Sequence, residues 1–170
     1  MKETGNIRLR AIRETDIWIM HKWVNDPEVV KYTNFFHPVS EMEQREWFSS
    51  LPQQKNKVLF GIEIIDGEKL IGTCGLSDIN HICRKAELFI KISDKSSWSK
   101  GFGKEALEIL LDFGFSDLNL RRIWLRVMAD NERALKLYKK AGFVIEGIMK
   151  EDHYIQGEYK DVILLAYFRK

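Results

Sequence analysis

The chain has 170 residues, 45% of them hydrophobic and 12% aromatic, which is the size of one domain able to close one core. Its formal net charge is +2 and no basic run exceeds a pair such as Arg121-Arg122 or Lys139-Lys140, so charge gives no argument for nucleic acid. It lacks the ~18 apolar residues in a row that a membrane span needs and a signal core in Met1-Lys2-Glu3-Thr4-Gly5, and no metal-ligand spacing surrounds Cys74 and Cys83; a cytoplasmic protein with reduced thiols and no metal is expected.

In chain order, Asn6–Arg13 reads as a strand, with Ile7, Leu9 and Ala11 alternating with polar neighbours. Thr15 or Asp16 is placed to cap a helix running to about Val24, and Asn25-Asp26-Pro27 breaks it before a short helical turn at Glu28–Lys31. Ser40-Glu41-Met42-Glu43 is a capping box, whose helix should run to about Ser50 and stop before Pro52. Val58–Ile65 and Lys69–Leu76 around Asp66-Gly67 predict a hairpin, and Lys85–Ile92 a further strand. Gly101–Phe115 reads as a helix with Gly103, Ala106, Leu107, Leu110 and Gly114 on one side and Lys104, Glu108 and Asp112 on the other. Arg122–Met128 alternates as a strand, Asn131–Lys140 is a short helix stopped by Gly142, and Phe143–Tyr154 with Tyr159–Phe168 form a terminal hairpin around Gln156-Gly157-Glu158. Neither repeat nor linker interrupts residues 1–170, so a single α/β (α+β) domain with a mostly antiparallel sheet is expected.

The segment Trp98-Ser99-Lys100-Gly101-Phe102-Gly103-Lys104 lies between a strand and a helix. Its glycines let the backbone turn tightly and bring N–H groups close to a ligand. The first-turn amides of the helix lack internal partners and sit at the positive end of its dipole. Together these make an anion cradle suited to a pyrophosphate, with Lys100 and Lys104 adding positive charge. The plainer alternative for an isolated Gly-x-Gly is a helix entry that packs closely. A Walker loop fails, because Trp98 stands where a glycine is needed and Glu105 where a hydroxyl is needed. A dinucleotide fingerprint tolerates Ala106 in place of its third glycine, but the following strand offers no acid for a ribose.

The strand Ala86–Ile92, the segment Trp98–Ala106 and the run Asn131-Glu132-Arg133-Ala134-Leu135-Lys136-Leu137-Tyr138-Lys139-Lys140-Ala141-Gly142-Phe143, in that order, resemble the GNAT acetyltransferase superfamily over essentially the whole chain. Asn25-Asp26-Pro27-Glu28-Val29 is similar to the branch of the ribosomal-protein N-terminal (RimJ/RimL-type) acetyltransferases. Ile79-Asn80-His81 through Arg84-Lys85-Ala86-Glu87 resembles the spermidine N-acetyltransferases. The resemblance implies a GNAT fold, with a mixed, mostly antiparallel sheet of about seven strands splayed near its middle and about four helices around it. It also implies acetyl-CoA as cosubstrate, with the pyrophosphate on the amides of Trp98, Ser99, Lys100, Gly101, Phe102, Gly103 and Lys104. The pantetheine arm would lie along Phe89, Ile90, Lys91 and Ile92, with Asn131, Ala134 and Lys139 also against the cofactor. A backbone N–H near Phe89 or Ile90 would serve the oxyanion. The superfamily motif often begins with Gln or Arg where this chain has Trp98, but backbone amides make the cradle.

Attack of a neutral amine on a thioester needs a route for the amine's protons and a proton for the leaving sulfur. Tyr138 is the candidate acid, since it shares a helical face with Ala134 and Ala141; a core tyrosine is the alternative. Glu87, acting through water, is the candidate base; a strand carboxylate paired with Arg84 or Lys85 is the alternative. His81, His153 and Glu151 are outside candidates. Between Glu14 and Ser50 acids at 14, 16, 26, 28, 41, 43 and 46 face bases at 22, 31 and 45, among Trp18, Trp23, Tyr32, Phe35, Phe36, Trp47 and Phe48. Such an entrance suits a cationic amine: a polyamine, an amino sugar or a peptide N-terminus. The acceptor is thus a small-molecule or peptide amine, with no nucleic acid and no membrane. Dimers are common in the superfamily, which makes a homodimer the oligomer to look for, and a non-catalytic acyl-CoA sensor is the reading from a different class.

Overall fold

The structure is a computed structural model, and it describes residues 2–33 and 37–169. Among these the elements are β1 (Lys2–Thr4), β2 (Ile7–Arg10), α1 (Ile17–Val24), α2 (Pro27–Val30), α3 (Glu41–Ser50), β3 (Val58–Ile64), β4 (Lys69–Asn80), β5 (Lys85–Ile92), α4 (Phe102–Asp112), β6 (Arg122–Met128), α5 (Glu132–Lys140), β7 (Val144–Ile155) and β8 (Glu158–Phe168). The strands hydrogen-bond in the order β1-β2-β3-β4-β5-β6-β8-β7. β5 and β6 run parallel, whereas β1–β2, β2–β3, β6–β8 and β7–β8 are antiparallel. This is the mixed, mostly antiparallel sheet that the sequence predicts, with eight strands in place of about seven. No helix among the described residues is long and apolar enough to cross a membrane.

The extra strand comes from the N-terminus. The strand expected at Asn6–Arg13 forms as β2, Ile7–Arg10, and the shorter β1 before it pairs back through a turn at Gly5 with φ +55°. The carboxylate of Glu105 holds that turn, accepting the Asn6 backbone N–H at 2.8 Å and its side-chain amide at 3.2 Å. Asp16 does not cap α1 forward as expected. A 3-10 turn over Glu14–Asp16 leads into the helix, and the Asp16 carboxylate reaches back to the Arg13 N–H at 2.7 Å. The capping box at Ser40 forms as read, with Ser40 N–H donating to Glu43 at 2.7 Å and Glu43 N–H to the Ser40 hydroxyl at 3.2 Å. The helix predicted to Phe115 stays α-helical to Asp112 and then widens into a π-helical turn, Phe113–Asp117. Buried Gly114 allows this packing, because a Cβ there would lie 2.5 Å from Ile123 Cδ1. The tip of the β7–β8 hairpin is the two-residue turn Gln156-Gly157, with φ of 51° and 86°, the mirror-image turn that suits twisted strands. Phe35 and Phe36 lie outside the described residues.

The chain divides into two compact units: Met1–Gly75 with Ile90–Ile109, and Leu76–Phe89 with Leu110–Lys170. In the first, Ile7, Leu9, Ile62, Ile71 and Leu107 are fully or almost fully buried, each worth roughly 1.5–3 kcal/mol of apolar burial. Beside them lies a buried ionic set that the sequence reading did not contain. Glu63, fully buried, accepts from Arg8 Nε at 2.6 Å and from Arg10 Nε; Arg10 also grips buried Asp16 through both terminal nitrogens at 2.7 and 3.0 Å. Burial alone would raise both carboxyls, but the arginines' hydrogen bonds hold them below the usual range. In the second unit Leu76, Ala86, Leu110, Leu120, Ile123, Leu125 and Leu165 form the core.

Candidate active site

In the first unit, β5 leads through a 3-10 turn, Lys95–Ser97, into the glycine segment. Asp94 ties the turn down by accepting from the Ser96 and Ser97 hydroxyls and from Lys69 Nζ at 2.9 Å. The Trp98 indole N–H donates to the Ile92 carbonyl at 2.8 Å, which clips the start of the segment back onto the strand end. Ser99 and Gly101 both take positive φ, 62° and 90°, while the intervening Lys100 does not. Such alternation turns successive N–H groups toward one concavity, the geometry of an anion-binding nest. Trp98 N–H donates to Lys95 O, and the Lys104 and Glu105 N–H groups donate to Gly101 O at 2.9 and 3.2 Å. The cradle is thereby narrowed to the amides of Ser99 through Gly103, at the positive end of α4. A Cβ on Gly101 would meet nothing within 4 Å, so glycine is required there by its positive φ rather than by crowding. These residues fit a pyrophosphate. Lys100 is exposed, and Lys104 Nζ lies 3.5 Å from Glu108 one turn on.

The same unit holds Ile90, Lys91 and Ile92. A Cβ on Gly72 would lie 2.1 Å from the Lys91 carbonyl oxygen, so glycine is what lets β4 approach β5 there. Burial lowers the Lys91 ammonium from its ordinary value.

In the second unit, β5 and β6 pair over Lys85–Arg122, Ala86–Ile123 and Glu87–Trp124, and among the described residues that ladder ends there, whereas β6 remains paired to β8 through Met128. Glu87 stands at this last pair. Its carboxylate takes Arg126 Nε on one oxygen at 2.8 Å and Nη2 on the other at 3.2 Å. The partner is thus Arg126, not Arg84 or Lys85, and Glu87's hydrogen bond is the main reason the guanidinium is raised. Asn131 caps α5 by accepting the Ala134 N–H at 3.2 Å; its side-chain oxygen is engaged, and its NH2 is the donor side. Tyr138 is buried, with its ring edge-on to Phe143 at 5.5 Å between centroids. The inward face expected for Tyr138 is the one it takes. Ala134 is half-buried and Lys139 exposed. Phe89 is half-buried, His81 is exposed, and His153 Nδ1 lies 2.8 Å from Asp152.

Two residues at this site escaped the sequence reading. Arg126 and Trp124 alternate with buried Leu125 on β6, so period two puts them on the face of Glu87. Arg122-x-Trp124-x-Arg126 is visible in the sequence, but its partner strand is not. Four of the acids counted for a cationic acceptor also have structural work: Asp16 with Arg10, Glu43 in the α3 cap, and Asp26 and Glu28 both on Lys95 Nζ at 2.9 and 2.6 Å. Cys74 is buried, its thiol pushed up by burial, and Cys83 is exposed; both are free.

The family model for the acetyltransferase (GNAT) domain matches residues 6–144. The chain is 31% identical over 170 residues to the spermidine N(1)-acetyltransferase of Escherichia coli (strain K12), covering 99% of this chain and 89% of that protein. It is 34% identical over 160 residues to the spermidine N(1)-acetyltransferase of Vibrio cholerae, covering 93% and 90%. The crystal structure of spermidine N-acetyltransferase from Vibrio cholerae in complex with CoA and spermine matches this fold with a TM-score of 0.88 at 32% identity, over 96% of this chain and 95% of that one.

Proposed function

The chain belongs to the GNAT acetyltransferase family and is an N-acetyltransferase, and from that premise we propose that it acetylates a primary amine of a polyamine, by direct transfer from acetyl-CoA. The observation that carries this reading is full-length similarity to polyamine acetyltransferases, one of them crystallised with CoA and spermine. Residues 1–170 act as one GNAT domain in this reading. Acetyl-CoA supplies the activated acetyl thioester.

The chain's own residues do the rest. The amides of Ser99–Gly103 bind the pyrophosphate. Ile90–Ile92 offer backbone groups to the pantetheine arm, and the Asn131 NH2 donates to one of its carbonyls. Glu87 takes a proton from the acceptor ammonium through water. The N–C bond then forms, the C–S bond breaks, and Tyr138 protonates the departing sulfur. The surplus amide proton returns to Tyr138 through solvent.

Thiol release from acetyl-CoA is the test, across spermidine, aminoglycosides, amino-sugar nucleotides and ribosomal-protein N-terminal peptides. Spermidine is expected to be fastest, and Tyr138→Phe to lower kcat by about 100-fold. A peptide turned over faster than spermidine would make the chain a protein N-terminal acetyltransferase. Tight CoA binding with no thiol release from any amine would make it a sensor.

A further inference from the structure

Glu87 is held by more than its own strand. Its carboxylate meets Arg126 in a two-point fork, with one nitrogen on each oxygen. In a parallel fork the donors take the inward, syn lone pair of each oxygen, and the outward, anti lone pairs stay open. A single-point partner such as lysine fixes no plane, so it fixes no such direction.

Arg126 is itself fixed from several sides. Its guanidinium carbon sits 5.7 Å from the Trp124 ring centroid, and Arg122 sits 5.9 Å from that same ring. Arg122 is anchored in turn by Glu146 on β7. Asp152 on β7 and Asp78 on β4 add their fields to that of Glu87 on the Arg126 guanidinium. All of these residues belong to the second unit. The order is therefore Trp124, Arg126, Glu87, each holding the next.

The place and the exposure matter as much as the bond. The pair stands where the β5–β6 ladder ends, at the Glu87–Trp124 position. The Glu87 side chain is 13% exposed and that of Arg126 48%, so water reaches the pair while the carboxylate stays oriented.

We infer that Arg126 is a positioning residue for acetyl transfer, aiming an open lone pair of Glu87 at the water that carries the acceptor's proton. The inference rests on Glu87 being the base. It goes beyond that assignment by naming what orients the base, and by making the fork, rather than the positive charge alone, the required feature.

The test measures kcat and the KM for acetyl-CoA with the amine that the wild-type protein turns over fastest, spermidine on the reading above. Glu87→Gln is expected to lower kcat by about 100-fold and Arg126→Gln by about 10-fold, with the KM for acetyl-CoA held within about two-fold, since the cradle proposed for the cofactor is built from the amides of Ser99–Gly103. Arg126→Lys keeps the charge but loses the fork, so it should recover only part of the loss. The double variant should be no slower than Glu87→Gln, because Arg126 acts only through Glu87. Wild-type turnover by Arg126→Gln, full recovery by Arg126→Lys, or losses that multiply in the double variant would each overturn the positioning role while leaving Glu87 as base. Wild-type turnover by Glu87→Gln would remove the base and this inference together. Urea melts of each variant separate loss of fold from loss of turnover.

Discussion

Two glutamates on neighbouring halves of the sequence pair with arginine in different ways: Glu63 bridges two guanidiniums, and Glu87 takes one in a two-point fork. Glu63 on β3 is fully buried, shared by Arg8 and Arg10, with Arg10 extended to Asp16. Glu87 on β5 is paired to one arginine that is half-exposed. The ions are alike and the surroundings are not. In the first unit Glu63, Arg10 and Asp16 are buried and paired with one another, so the set holds β2, β3 and the turn before α1 in register. In the second, water reaches the pair, so an orientation fixed by the same chemistry remains usable for proton transfer. Burial, not residue type, separates the structural carboxylate from the one proposed as base.

The largest effect expected from breaking this contrast is at Glu63. Glu63→Gln removes the carboxylate shared by Arg8 and Arg10 and leaves Arg10 with Asp16 and Arg8 with exposed Glu68, and a lost hydrogen bond to a charged group typically costs about 1.5–3 kcal/mol. Urea unfolding should show that loss as a lower midpoint with an unchanged slope. A midpoint within error of the wild type would mean that the set is not a structural anchor.

Acid should act in the same direction, more gradually. Asp16 and Glu63 are depressed in the folded state. Their contribution is therefore fully present above the unfolded carboxylate range, at about pH 4, and is lost as pH falls through the folded values. The wild-type urea midpoint should hold from about pH 7 to 5 and drop below about pH 4, and Glu63→Gln should show a shallower drop. Equal acid sensitivity in the two proteins would place the titrating groups elsewhere.

The contrast also explains what the sequence could disclose. β5 and β6 keep their predicted bounds, Lys85–Ile92 and Arg122–Met128, because alternation along a strand is local information. The Ser40 capping box and the Gly142 stop, with φ +97°, are local too. Of the nest at Ser99–Gly101, Gly101 was legible, while the positive φ at Ser99 was not and Gly103 takes none. β1 was not, since Lys2–Thr4 carries no apolar pattern and depends on Glu105, 99 residues beyond Asn6. Neither ionic set was legible: Glu63 meets its arginines across 53 and 55 residues, and Glu87 meets Arg126 across 39. Only the sheet order brings those strands together.

The smallest effect should again fall at Glu87, this time in stability. Glu87→Gln keeps the side-chain shape, retains an oxygen acceptor for one arm of Arg126, and leaves a guanidinium that water already reaches. A solvent-accessible pair contributes about 0–1 kcal/mol, so the urea midpoint should barely move. The same substitution is expected to remove most of the turnover. A variant that is folded and inactive at 87, beside one that is destabilised at 63, would separate the two roles with one chemical change made twice. If Glu87→Gln instead lost several kcal/mol, its pair would belong with the Glu63 set, and its slow turnover would report unfolding rather than a missing base.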